Sequence, residues 1–534
     1  MPRLRDLLLV GPLFVVLDTA FALPQPFSPN VRNGGTQLVS RDLETLGEAF
    51  SAMVNALEVM QSNYWSSSSN TWPKGIDWTS AVTSTHVSAA LTEMAMYGSS
   101  TYQDDINKYF SQIVSFYGGE DATALRSQFF DDQQWVVLEW LEAIKFVSVY
   151  SSIDSTFDGE QHVGDFAHRA RIFWDLASKG YDTKLCGGGM VWTDTLSPYK
   201  NAITNELFLS ASISMYLYFP GDNNPSPYSV PGKDYDPSQA LDPVPAHDER
   251  YLEAAIKEYK WLSSSGMKNS QGLYTDGFHI TGWTSPDNIG TGKCDARDDT
   301  VYTYNQGVIL SGLRGLWDAT GSTDYLSDGY TLIKDVIAAT GWVSPTEQKD
   351  AWSGLGSNGV LQDRCDADGS CSQDGQNFKG IFFHHLTLFC QPISLSEKET
   401  VIFNGTEAQA QAHQEVCDGY QPWILHNAQA AYSTRNADGK YGGWWNAGAA
   451  AAKPKDSGTL AQPSAGTDVK NKGIPWNKVW RLSDDILASE RGMSLVERAA
   501  AEDPNDRGRG RTVETQSGGL ALMGSLVQAL EAAK

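Results

Sequence analysis

Basic residues are scarce in this chain. Lys and Arg number 40 against 64 Asp and Glu, giving a formal net charge of -24 and a pI near 4.7. Such a surface disfavours nucleic acid and anionic lipid and suits a neutral or basic partner. Beyond the first 22 residues, no stretch reaches the ~18 apolar residues of a membrane span. The last residues, LVQALEAAK, lack the small-residue site, spacer and apolar tail of a lipid-anchor signal. Alternating strand patterns are short and few, which argues against an all-β fold. Only six cysteines occur, without a CxxC pair or a metal-like histidine cluster, so no structural zinc is expected. These absences leave a soluble monomer with no cofactor, no metal and no membrane anchor as the expectation.

What is present points outward from the cell. The chain starts MPRLRDLLLVGPLFVVLDTAFA: two arginines, an apolar run from Leu7 to Leu17, then Ala20-Phe21-Ala22. This order predicts a secretory leader over 1–22 and an extracellular product. Six cysteines fit that compartment. The sequence leaves their pairing open. The short spacing makes Cys365 and Cys371 the expected pair, and Cys390 with Cys417 and Cys186 with Cys294 would complete the set. Asn404-Gly405-Thr406 is a glycosylation sequon. The 17 Trp, 22 Tyr and 20 Phe are many; core packing must account for most of them, and stacking on sugar rings is one use for a surplus.

Helical periodicity recurs over 41–62, 80–97, 101–118, 131–152, 164–178, 200–218, 248–265, 301–319, 323–339, 378–390, 405–416, 420–435 and 514–531. Long Gly-, Pro-, Ser- and Asp-rich loops separate them. Helices alternating with turns over some 500 residues, with no clear linker, predict one helical toroid built from hairpins. Residues 23–534 then form a single domain with long rim loops, and the polar stretch 446–475 reads as a mobile insertion.

Within this pattern FFDDQQWVVLEWLEA, Phe129 to Ala143, places two acids at the start of a helix that is apolar on most sides. Asp131 and Asp132 could simply serve the helix N-terminus. They could also be the two carboxyls that glycosidic cleavage requires. Adjacent helical residues lie ~5–6 Å apart at Cβ. That suits the ~5–5.5 Å carboxyl spacing of a retaining enzyme better than the longer inverting one.

Four blocks in order resemble glycoside hydrolase family 76, the secreted endo-α-1,6-mannanases and their cell-wall relatives. They are Asp131-Asp132-Gln133-Gln134-Trp135; Cys186-Gly187-Gly188-Gly189-Met190-Val191-Trp192 with Tyr199-Lys200-Asn201-Ala202-Ile203-Thr204-Asn205; Tyr304-Asn305-Gln306-Gly307; and Phe378-Lys379-Gly380-Ile381-Phe382. The resemblance implies an all-α (α/α)6 barrel, an α-mannan substrate, Asp131 as nucleophile and Asp132 as acid/base. It brings Trp135, Gly188, Gly189, Trp192, Asn201, Asn205, Tyr304, Asn305 and Lys379 forward as substrate contacts. Its wall-anchored relatives look like transglycosidases and usually carry a lipid-anchor signal, so the free hydrolase is preferred. A mannan-binding protein without catalysis is disfavoured by the presence of both aspartates.

Each supporting residue also has a plainer role. The glycines could form only a turn, and Asn201, Asn205 and Asn305 could be caps or buried amides. Asp298 and Asp299 are expected to cap the helix that follows them. His384 and His385, adjacent on a helix, diverge and read as core. Asp363, Asp366, Asp368 and Asp374 invite a calcium reading, but the twelfth-position glutamate is missing.

Overall fold

A computed structural model of the protein describes residues 43–230, 232–395, 403–448 and 503–532. The expected leader and all but the first three residues of the polar stretch 446–475 lie outside these residues. The helices are α1 (Leu46–Tyr64), α2 (Asp77–Gly119), α3 (Ala122–Leu125), α4 (Phe130–Ile153), α5 (Val163–Ala177), α6 (Ala202–Tyr218), α7 (Glu249–Ser264), α8 (Tyr304–Thr320), α9 (Thr323–Ala339), α10 (Phe378–Phe389), α11 (Glu407–Asp418), α12 (Gln421–Ser433) and α13 (Val513–Ala532). α2 holds the two helices expected over 80–97 and 101–118, joined at a kink where Gly98 and Tyr102 leave helical φ/ψ.

Burial sorts the helices into two layers. Fifteen of the seventeen residues of α6 are buried but only five of the sixteen in α7, so α6 is inner and α7 outer. The inner helices touch in a closed ring: α2 with α4, α4 with α6, α6 with α8, α8 with α10, α10 with α13, and α13 with α2. An outer helix packs behind each of them, giving the (α/α)6 barrel. Close approach needs small residues. A Cβ on Gly380 of α10 would lie 2.5 Å from the Gly518 Cα of α13, so these two backbones meet directly.

Because the chain alternates outer and inner, all six inner helices run the same way. Their N-termini converge on one end of the barrel. Loops elaborate that end. Strands β1 (Tyr199–Asn201), β4 (Gly277–Ile280) and β5 (Cys294–Asp298) form an antiparallel sheet with Asn201 opposite Gly277, while β2 (Gly221–Asp222) pairs with β3 (Val244–Pro245). The three disulfides are Cys186–Cys294, Cys365–Cys371 and Cys390–Cys417, as expected. Among the described residues, no helix is long and apolar enough to cross a membrane.

Candidate active site

The aspartate pair opens inner helix α4. Phe129 is the N-cap in extended conformation, which puts Asp131 and Asp132 in the first turn. Phe129 N–H donates to Asp132 Oδ2 at 3.2 Å, and Asp132 N–H donates to Asp131 Oδ1 at 3.0 Å. Both acids thus satisfy orphan helix donors, and the plain role is real. It does not exhaust them. The two residues are only 8% and 4% exposed. Burial pushes the Asp131 carboxyl up to about 7, although the facing Thr204 and Trp192 side chains pull the other way.

Trp192 is fixed against this turn. Its carbonyl accepts from Phe130 N–H at 3.1 Å, its N–H donates to Tyr199 O at 2.8 Å, and its ring lies 4.3 Å from that of Phe129. Trp135 points inward and stacks on Trp78 at 5.6 Å. Trp78 Nε1 donates to Asp374 Oδ1 at 3.1 Å. Half-buried Tyr304 stacks on Phe378 at 3.7 Å, and its hydroxyl is pushed up chiefly by burial and then by the charges of Asp276 and Asp131. Asn201 and Asn305 each hold a buried amide oxygen without a hydrogen bond. Asp131, Asp132, Trp192, Tyr304, Asn201 and Asn305 are therefore gathered at one end of the lumen.

Four expected substrate contacts are placed elsewhere. Lys379 is 2% exposed and paired with both oxygens of Asp366 at 2.7 and 2.8 Å, because an ammonium buried this deeply needs a counter-charge. Gly188 and Gly189 adopt positive φ and face Trp261 of α7, and their carbonyls accept from Lys200 Nζ. A Cβ at either position would run into that indole, so their task is packing. Asn205 is satisfied by Met190 N–H at 2.6 Å, Met190 O at 3.1 Å and Asn201 O at 2.7 Å, stitching the glycine loop to α6.

One further expectation fails for a similar reason. Asp298 accepts from Thr300 N–H and Asp299 pairs with Arg297, so neither caps α8. Asp363 does the nearby work, accepting from Thr303 N–H and its hydroxyl. The four acids of the calcium reading turn to four different partners: Thr303, Lys379, Ser370 and Trp78. Missed altogether was Asp276, half-buried beside Tyr304 and joined to Tyr199 OH at 2.5 Å. It sits in an ordinary turn, TDGF, and no local pattern marks it.

The model of glycosyl hydrolase family 76 matches residues 49–230 and 245–465. The chain belongs to this family. It is 22% identical over 306 residues to the mannan endo-1,6-alpha-mannosidase DFG5 of Saccharomyces cerevisiae, covering 55% of this chain and 54% of that protein. The chain thus spans about half the length of the curated relatives it matches. Its fold is that of the alpha-1,6-mannanase of Salegentibacter sp., solved as an inactive variant with two aspartates replaced by alanine and with alpha-1,6-mannotetrose bound (TM-score 0.51, 17% identity, 90% of this chain and 99% of that one). Dfg5 of Chaetomium thermophilum, solved with glucosamine, is similarly related (TM-score 0.53, 14% identity, 92% of each chain).

Proposed function

We propose that this protein is a secreted glycoside hydrolase that cleaves α-1,6-mannosidic bonds within mannan, with Asp131 and Asp132 as its two reacting carboxyls. The observation that carries this reading is the placement of both acids, buried and adjacent, at the mouth of a barrel whose neighbouring amide oxygens have no internal donor. A polyhydroxylated sugar supplies those donors. The family relationship, and the two-aspartate variants of the Salegentibacter enzyme, support the same assignment.

Cleavage needs one carboxyl to protonate the leaving oxygen and the other to attack the anomeric carbon. Neighbouring first-turn residues favour the short separation, hence a covalent intermediate and net retention. The resemblance assigns attack to Asp131. One observation favours the reverse order: burial holds the Asp131 proton up to about pH 7, the range of a proton donor. Trapping with a 2-fluoro mannosyl fluoride and mapping the labelled peptide decides between them.

Linear α-1,6-mannooligosaccharides followed by proton NMR test the function. An α-configured first product is expected. A β product appearing first overturns retention, transfer to a second sugar identifies a transglycosidase, and no turnover of any α-1,6-mannoside removes the assignment.

A further inference from the structure

We propose that Asp276 is a specificity-determining residue of this cleft, gripping ring hydroxyls of the sugar that lies against Asp131. The inference rests on the mannoside reading above. Asp276 is far from Asp131 in sequence, yet its carbonyl holds Ala202 N–H at 2.7 Å in the first turn of α6, the turn whose Thr204 side chain faces Asp131.

Its position is over-determined. Asp276 N–H donates to Thr300 O at 2.7 Å, and its own carbonyl accepts from Ala202 N–H, the first residue of α6, at 2.7 Å. The preceding loop is fastened to α8, since Gln306 accepts from Tyr274 N–H at 2.8 Å and donates to Tyr274 O at 2.9 Å. The side chain is held as well. Tyr199 OH donates to Oδ2 at 2.5 Å, and Asn305 Nδ2 lies 3.5 Å from Oδ1. A carboxylate this constrained, half-buried at a cleft, is a preorganised acceptor.

The neighbours share one chemical bias. Asn305 turns its amide nitrogen to Asp276, which leaves its oxygen buried without a donor. The Asn201 oxygen, opposite Gly277 in the sheet, is in the same condition. These groups want hydrogen-bond donors, and a saturated ring bearing adjacent hydroxyls provides them at the right density. A site that hydrogen-bonds a hydroxyl rejects the analogue lacking it far more strongly than an apolar pocket rejects a missing methylene.

The test compares the full-length protein with its D276N and Y199F variants on α-1,6-mannotriose and its monodeoxy analogues, with thermal melts alongside. Wild type is expected to lose about 100-fold or more in kcat/KM on at least one monodeoxy substrate. D276N should be slower on the parent trisaccharide and should discriminate against that analogue by less than about tenfold. Y199F, which loosens the carboxylate without touching its charge, should fall between them. An active wild type whose discrimination survives intact in folded D276N overturns this inference and leaves the mannoside reading standing. A wild type inactive on every mannoside overturns both.

Discussion

The two ends of the barrel lumen treat charge in opposite ways. At the N-terminal end of the inner helices stand Asp131, Asp276 and Asp374, whose charges all act on Tyr304, with the Asn201 and Asn305 amide oxygens left without donors. Further down, several charged residues hold internal partners. Lys145 pairs with Glu142 at 2.6 Å. Arg314 pairs with Asp318 at 3.0 Å and donates to the carbonyls of Phe389, Gln391 and Pro392. His385 is hydrogen-bonded to Ser311 and His86 to Ser517. Glu142, Lys145, Ser311, Arg314, Asp318 and His385 line a small cavity of about 30 Å³, and their polar atoms mostly bond to one another or to backbone carbonyls. The aspartate end instead combines three acids with the open amide oxygens of Asn201 and Asn305.

The sharpest way to test that contrast is to neutralise one charged group at each end. D131N and D132N should each lower kcat by about 10²–10⁴-fold with the fold intact, since general catalysis supplies that much. A steady-state assay beside a thermal melt reads it. Retention of more than about a tenth of wild-type kcat by either variant would remove that residue from the chemistry.

At the far end the effect should move from rate to stability. R314M leaves Asp318 buried without its counter-charge, at a cost of about 3–5 kcal/mol. Denaturant unfolding should show the loss, and kcat of the remaining folded enzyme should stay near wild type. A rate loss exceeding the stability loss would mean that the two ends are coupled.

A smaller effect is expected at the Cys365–Cys371 loop. Its bridge closes only a six-residue separation, worth ~2–3 kcal/mol in the chain model. The loop leads to Asp374, which holds Trp78. The double Cys365→Ser, Cys371→Ser variant should raise KM more than it lowers helix content by circular dichroism. A fall in helix content with unchanged KM would assign the bridge to the scaffold alone.

The finest distinction is in pH. Burial lowers His86 and His385 to about 3, so their stabilisation is present above about pH 6.5 and is lost as pH falls toward 3. Burial raises Asp131 to about 7, so its contribution is present below about pH 4 and is lost as pH rises through 7. Glu93, raised to about 8, adds the same slope from the histidine side. H385Q should therefore lose less Tm than wild type between pH 7 and pH 4.5, while D131N should gain a few degrees at pH 8 and little at pH 4. Parallel melting curves for either variant would contradict the assigned titration.

Sequence by itself determined the periodic features. The thirteen expected helical spans all coincide with helices, because apolar residues recurring on one face bury that face wherever the helix ends up. It also exposed the aspartate doublet and the short Cys365–Cys371 loop, whose members are neighbours along the chain. Tertiary structure decided everything that depends on distant partners. Lys379 is an ion-pair residue because Asp366 meets it inside the protein. Gly188 and Gly189 serve packing because Trp261 of an outer helix lies over them. Asp276 joins the cleft because β4 pairs with β1 and so brings residue 276 to the start of α6. A local pattern records what a residue prefers, but its task is set by what the closed ring of helices places opposite it.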